Sequence, residues 1–343
     1  MSRSGIERPR SPLAPPRPSP SQRDEPPQAR CPGVFARFFA RHKPLRQWAV
    51  ASAFLAPNLA GFLIFTFLPV LASIVLSLTR WDLLTPPRYV GFRNYAHVLG
   101  FSRVEGHWRA HDLDFWKYLW NTIYLMAVIP VAMAGSLLLA LALNRKIRGR
   151  VILRAIYFLP SMCVPVAVFL LWRWLLNSDA GLINWALARV GISGPEWLLS
   201  MRWAKPALML ASLWAGVGGA NMILYLAGLQ NIPRELYEAA LIDGAGPWQR
   251  FRHIAWPLLA PTTFFIMTIS IIGGFQGGFD AAYMMTGGGP AGSTTTLMFY
   301  IYNNAFVWLK MGYASTIAWI LFVLVFAVTV LNWKLGGKHV HFD

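Results

Sequence analysis

Glu238-Ala239-Ala240-Leu241-Ile242-Asp243-Gly244-Ala245-Gly246 forms a short polar island between two apolar blocks, Pro206 to Leu229 and Leu258 to Phe279. At about 1.5 Å of rise per residue, each flanking block is long enough to cross a hydrocarbon layer ~30 Å thick as a helix. Four more such blocks surround the pair: Val50 to Leu78, Leu119 to Leu143, Val151 to Leu176 and Ala314 to Trp333. In lipid every backbone polar group has to be satisfied within the chain, and uninterrupted apolar blocks of this length achieve that as helices. The sequence therefore predicts an all-α polytopic membrane protein with six transmembrane helices over 49–336. The island lies in one of its connecting loops.

Composition points the same way. Hydrophobic residues make up 56% of the chain and charged ones 13%, against about a quarter charged in a soluble domain. With both termini placed in the cytoplasm, the segments 1–49, 144–150, 230–257 and 334–343 hold 19 of the 31 Lys and Arg residues, and the outer loops hold 10. The sharpest local signal is Arg145-Lys146-Ile147-Arg148-Gly149-Arg150, with four cations and no acid in a short loop. Such loops stay on the cytoplasmic side. The net charge of +17 thus reports topology and anionic lipid; no interleaved basic and aromatic face points to nucleic acid.

Residues 1–33 are rich in Pro, Arg and Ser and lack an apolar core, so they read as a disordered cytoplasmic tail, neither signal peptide nor span. In 34–48, Val34, Phe35, Phe38 and Phe39 recur at helical spacing among Arg37, Arg41 and Lys43. That pattern fits a basic interfacial helix on the inner leaflet, or a plain extension of the first span. Residues 337–343 form a second cytoplasmic tail. Cys31 in the tail and Cys163 inside a span are not expected to pair.

The spans are also informative for what they lack. All but the third contain no Asp, Glu, Lys, Arg or His, and all seven histidines fall outside the apolar blocks. Ion-coupled pumps place ionisable groups in the membrane despite a cost of roughly 2.5–3.5 kcal/mol each on insertion scales. No such relay is present, nor any paired metal ligands at helical spacing in a span. Energy for uphill transport would then come from a partner.

The loop offers a place to receive it. Asn231 or Ile232 can cap a short helix whose first turn accepts Pro233. Leu236, Tyr237, Ala240 and Leu241 share one face of it. Asp243-Gly244-Ala245-Gly246 ends it, and Pro247 starts a second short helix with Trp248, Phe251, Ile254 and Trp256. Pro257 and Pro261 then open the fifth span. Ala239 and Ala240 allow close approach, and Glu238 is an exposed charge.

The order Glu238-Ala-Ala, three residues, Gly244, then nine residues to Ile254-x-x-Pro257 resembles the EAA loop of binding-protein-dependent ABC importer permeases. Val90-Gly91-Phe92-Arg93-Asn94-Tyr95, Thr286-Gly287-Gly288-Gly289-Pro290, and Tyr300 to Phe306 with Gly312-Tyr313-Ala314 are similar to the carbohydrate-uptake permeases of the maltose and glycerol-phosphate type. The likeness covers roughly 48 to 336. It leaves out the Pro/Arg tail and a lengthened outer loop around Ser102 to Asp114. The resemblance implies a bacterial or archaeal cytoplasmic-membrane subunit that rocks between inward- and outward-facing states. Glu238, Ala239, Ala240, Asp243, Gly244 and Gly246 would contact a cytoplasmic ATP-binding cassette subunit. ATP and Mg would belong to that partner, with no cofactor, metal or catalytic residue on this chain. A second permease and an extracytoplasmic solute-binding protein would complete the assembly.

Transporters tend to bind cargo near the midplane, at interrupted or Gly-rich helices. Span four offers Ser212, Gly216, Asn221 and Tyr225; the end of span five offers Phe275, Gln276 and Gly278. Aromatic faces, amides and hydroxyls suit a sugar or polyol, and the resemblance implies cargo contacts in these two spans. The same glycines and aromatics also suit close helix packing. Gly287-Gly288-Gly289-Pro290 lacks the Lys-Ser/Thr of a phosphate cradle and reads as a loop bend. Trp172-Arg173-Trp174 reads as an interfacial belt. Pro57, Pro69, Pro160 and Pro165 should kink spans one and three. An importer for a non-carbohydrate solute, or a stand-alone carrier, would share much of this pattern.

Overall fold

Each apolar block is helical over most of its length in the computed structural model, which describes residues 48, 51–104, 107–145 and 147–336. The tail 1–33, all of 34–48 but Trp48, Lys146 and residues 337–343 lie outside the described residues. Among the described residues three helices are long and apolar enough to cross a membrane by themselves: α1 (Ala51–Ser77), α3 (Leu113–Asn144) and α14 (Met311–Gly336). Between α1 and α3 lie β1 (Thr79–Arg80) paired antiparallel with β2 (Arg88–Tyr89), then α2 (Arg93–Leu99). The lengthened loop is an antiparallel hairpin of β3 (Phe101–Val104) and β4 (His107–Ala110), with Phe101 opposite Ala110.

The other three spans are broken; of these the sequence reading had a kink in the third alone. α4 (Arg150–Met162) and α5 (Pro165–Leu175) meet at 95°. The ring of Pro165 forces Val164 out of the helical region, to φ −61° and ψ 127°. After α6 (Leu182–Arg189), α7 (Ala204–Gly216) and α8 (Gly219–Gln230) meet at 43°. Their joint is Gly218 at φ 100° and Gly219 at φ 47°, a region that side chains resist. α9 (Arg234–Ile242) precedes α10 (Pro247–Leu258), and α11 (Ala260–Gln276) follows at 62° to α10. Pro257 therefore sits within α10, and only Pro261 opens the fifth span. With each bent pair counted as one span, the total by length and composition is six. Beyond α11 come α12 (Phe279–Ala281), prolonged by a π turn to Thr286, and α13 (Leu297–Tyr302), prolonged to Val307.

By its contacts the chain divides into two units, Met1–Phe67 and Leu68–Asp343. The physical reason is visible in the first unit itself: none of residues 51–67 is buried.

Among its described residues the second unit holds three apolar clusters. One joins Leu137, Ala140 and Leu143 of α3 to Met222, Tyr225 and Leu229 of α8, with Leu259 and Ile266. Another joins Trp172 of α5 to Leu208 of α7 and Ala281 and Ala282. The third gathers Phe115, Phe275, Leu297 and Ile317. Hydrogen bonds tie the spans, from Thr316 to the Ser77 carbonyl at 2.9 Å and from Asn332 to Thr268 at 2.9 Å. In a bilayer such bonds contribute about 0.6 kcal/mol each. Gly312 is required by close approach, since a Cβ there would lie 2.0 Å from the Thr79 carbonyl oxygen.

Candidate functional site

The 231–258 loop is built on α9. Pro233, extended at φ −55° and ψ 134°, stands just before the helix and not within its first turn. Its end closes as a Schellman motif: the Ala245 N–H donates to the Ala240 carbonyl at 2.8 Å and the Gly244 N–H to Leu241 at 3.1 Å. That closure needs Gly244 at φ 75°. Gly246 is different. Its backbone is extended at φ −68° and ψ 168°, and a Cβ there would meet only the Gln249 Oε1 at 3.7 Å. Nothing in its own chain requires glycine at that position. Gln249 caps α10 by accepting from the Gly246 N–H at 2.7 Å.

Glu238, Ala239, Asp243 and Gly244 are exposed, and Ala240 is half-buried. The expected shared face divides. Tyr237 packs with Phe251 and Ile254 against the core, whereas Leu241, Ile242 (87% exposed) and Trp248 turn outward. Burial raises the Tyr237 phenol above its ordinary range, against the opposing charge of Arg250. The second helix runs on through a π turn to Leu258, longer than the short helix expected.

A cavity of about 390 Å³ lies between α3, α7, α8 and α11. Ser212, Gly216, Asn221 and Gly278 line it, as do Thr122, Ser270 and Thr296, which the sequence reading did not single out. For Thr122 and Ser270, a hydroxyl inside an apolar block was the available signal; Thr296 lies in the loop after the fifth block and gave none. None of its lining residues is ionisable. Tyr225 and Phe275 are not brought to it: they are 1% and 4% exposed and packed in separate core clusters. Gln276 is exposed and not among the lining residues. Among the described residues no group of three or more His, Cys, Asp or Glu is placed to hold a metal.

Beyond the cavity, at the far end of α11 from α9, the 287–296 loop is clasped from all sides. The Asn121 amide donates to the carbonyls of Gly292 at 3.0 Å and Thr295 at 2.9 Å, and Lys117 to that of Ala291 at 2.6 Å. The Thr294 and Thr295 hydroxyls donate to Gly289 and Gly288. The glycine run is a bend, with Gly287 at φ 59° and Gly288 at φ 85°. Asp112, 7% exposed, caps α3 through the Phe115 N–H at 2.9 Å and accepts the phenols of Tyr300 and Tyr313. Burial first, and then the Asp112 carboxylate, raise the Tyr300 phenol well above its ordinary range. In the Trp172-Arg173-Trp174 run, Trp172 is core against Trp214, whereas Arg173, which donates to the Met284 carbonyl, and Trp174 are exposed.

Residues 132–334 match the family described as binding-protein-dependent transport system inner membrane component. The chain is 36% identical over 295 residues to a probable ABC transporter permease protein, YesP, of Bacillus subtilis (strain 168), covering 85% of this chain and 91% of that one. It is 36% identical over 286 residues to the lactose transport system permease protein LacF of Rhizobium radiobacter, covering 81% and 91%. Among solved structures, a chain of a bacterial alginate ABC transporter, in complex with alginate pentasaccharide-bound periplasmic protein, superposes with a TM-score of 0.75. That match covers 87% of this chain and 97% of the other at 22% identity, a likeness of fold.

Proposed function

The chain belongs to the family of binding-protein-dependent transport inner-membrane components and is an ABC importer permease, and we propose that it forms half of the translocation path for a sugar or related polyol, driven by a separate ATPase through residues 231–256. The observation that carries the coupling reading is the outward face of that loop. Ile242, Leu241 and Trp248 leave apolar surface uncovered beside Glu238, and Gly246 is small for no reason internal to the chain. A short helix set into a partner's groove covers such a face. ATP and Mg stay on the partner, and closure of two such partners rocks this chain against a second permease. A solute-binding protein delivers cargo on the side opposite the coupling loop, and both termini lie in the cytoplasm.

The cavity supports an uncharged polar cargo. Its volume falls in the range of about 300–1,000 Å³ seen for small-molecule sites. Its polar groups are the hydroxyls of Ser212, Ser270, Thr122 and Thr296 and the Asn221 amide, which suit hydroxyl-rich solutes; a peptide or ion would ask for charge. The test of coupling is Glu238→Lys or Gly246→Trp in the assembled transporter. Both should reduce uptake and ATPase copurification by about ten-fold or more, the size of a lost interface anchor. Unchanged uptake and copurification would remove the coupling role. For cargo, the cognate solute-binding protein should gain melting temperature with a carbohydrate; stabilisation by a peptide or inorganic ion alone would overturn the assignment.

A further inference from the structure

Ser212 and Asn221 both line the cavity, yet nine residues separate them. In an unbroken helix of about 3.6 residues per turn that spacing is two and a half turns, so the two side chains would point to opposite faces. The break at Gly218 and Gly219 brings them to one wall. A break in a span exposes backbone groups that lipid cannot satisfy. In a continuous helix the Gly218 N–H would donate to Trp214 and the Gly216 carbonyl would accept from Ala220.

Here one side chain from another helix takes both roles. Ser136 of α3, fully buried, donates its hydroxyl to the Gly216 carbonyl at 3.2 Å and accepts from the Gly218 N–H at 3.2 Å. The joint is held on two sides. A Cβ on Gly135 would lie 2.9 Å from the Val217 side chain, and one on Gly218 would lie 2.7 Å from the Tyr157 carbonyl oxygen of α4.

We propose that Ser136 is a positioning residue of the translocation path: its hydroxyl completes the broken span in the one arrangement that turns Asn221 into the wall shared with Ser212 and Gly216. This rests on the reading of the cavity as the cargo path. Without the hydroxyl, two buried backbone groups lose their partner, and the joint relaxes toward a continuous helix that carries Asn221 away.

The test is labelling by a membrane-impermeant polar maleimide, in the full transporter with Cys31→Ser and Cys163→Ser. Asn221→Cys and Ser212→Cys should both react when Ser136 is present. Adding Ser136→Ala should slow labelling at 221 by about five-fold or more, a loss in the range of an unmade buried hydrogen bond, with 212 unchanged. Ser136→Thr, which keeps a hydroxyl, should restore it. Equal labelling at 221 with and without the hydroxyl overturns the proposal. Silence at both 212 and 221 with Ser136 in place overturns the cargo-path reading, and this proposal with it. If Ser136→Ala does not assemble, the Ser136→Thr chain decides: loss of labelling at 221 despite its hydroxyl also overturns the proposal.

Discussion

The two glycine-turned loops at opposite ends of α11 are finished in different ways. The 287–296 loop is closed from within: buried threonines bond its carbonyls, Asn121 and Lys117 reach across from α3, and Asp112 gathers two phenols beside it. The 234–248 loop closes its turn and stops there. No residue of α9 is buried, and its Leu236, Leu241 and Ile242 are exposed. A loop with satisfied backbone and uncovered apolar surface is stable but incomplete, and under the proposed coupling the missing part is another molecule.

That contrast can be broken most severely at Asp112. Asp112→Ala removes a helix cap and strands one buried and one half-buried phenol, for an expected loss of about 3–5 kcal/mol; thermal unfolding of the purified protein in detergent measures it. Asp112→Asn should cost less because it keeps an acceptor. Asn121→Ala leaves the Gly292 and Thr295 carbonyls short of a donor and should cost about 2 kcal/mol. Faster proteolysis within 287–296 would report it, whereas unchanged cleavage would mean that the threonines suffice.

A pH titration separates the loops further. The folded chain holds the Tyr300 proton more tightly than the unfolded chain does. The associated stability is complete below the unfolded tyrosine value of about 10 and declines as pH rises past it, because the unfolded chain ionises first. Tyr300→Phe should flatten that alkaline decline in melting temperature more than Tyr237→Phe, since Tyr237 is also raised but faces the opposing Arg250 charge. The smallest effect on stability belongs to Ile242→Ser, within about 0.5 kcal/mol for an exposed site. The same variant should nonetheless weaken ATPase copurification under the proposed coupling. A large fall in melting temperature there would erase the distinction between the loops.

Features with a one-dimensional signature were legible in the sequence. Apolar blocks gave the spans, and Glu238 with Gly244 gave the helix end and its turn. The breaks were half legible: Pro165 marked a position, but the 95° angle there and the 43° angle at Gly218-Gly219 depend on which helix lies alongside. Tyr225 and Phe275 show the limit most clearly. Their chemistry suits a sugar, but helical phase relative to neighbours put both in the core. Asp112 was missed because a lone carboxylate before an apolar run looks solvated. Its partners, Tyr300 and Tyr313, lie about two hundred residues onward. Ser136, one small residue within an apolar block, gave no sign of its role until Gly216 and Gly218 were beside it.

The elbow between α4 and α5 bears on how the chain is made. Neither arm alone has the roughly 20 residues that a crossing requires, and α4 buries none of its residues in the finished fold. Its Tyr157 carbonyl and Ser161 side chain approach Gly218 and Gly219 closely, which leave the ribosome some sixty residues later. The third span must therefore wait for the fourth before it can take its final shape. A ribosome stalled between them would hold a half-inserted segment, open to quality-control proteases and to the wrong neighbours.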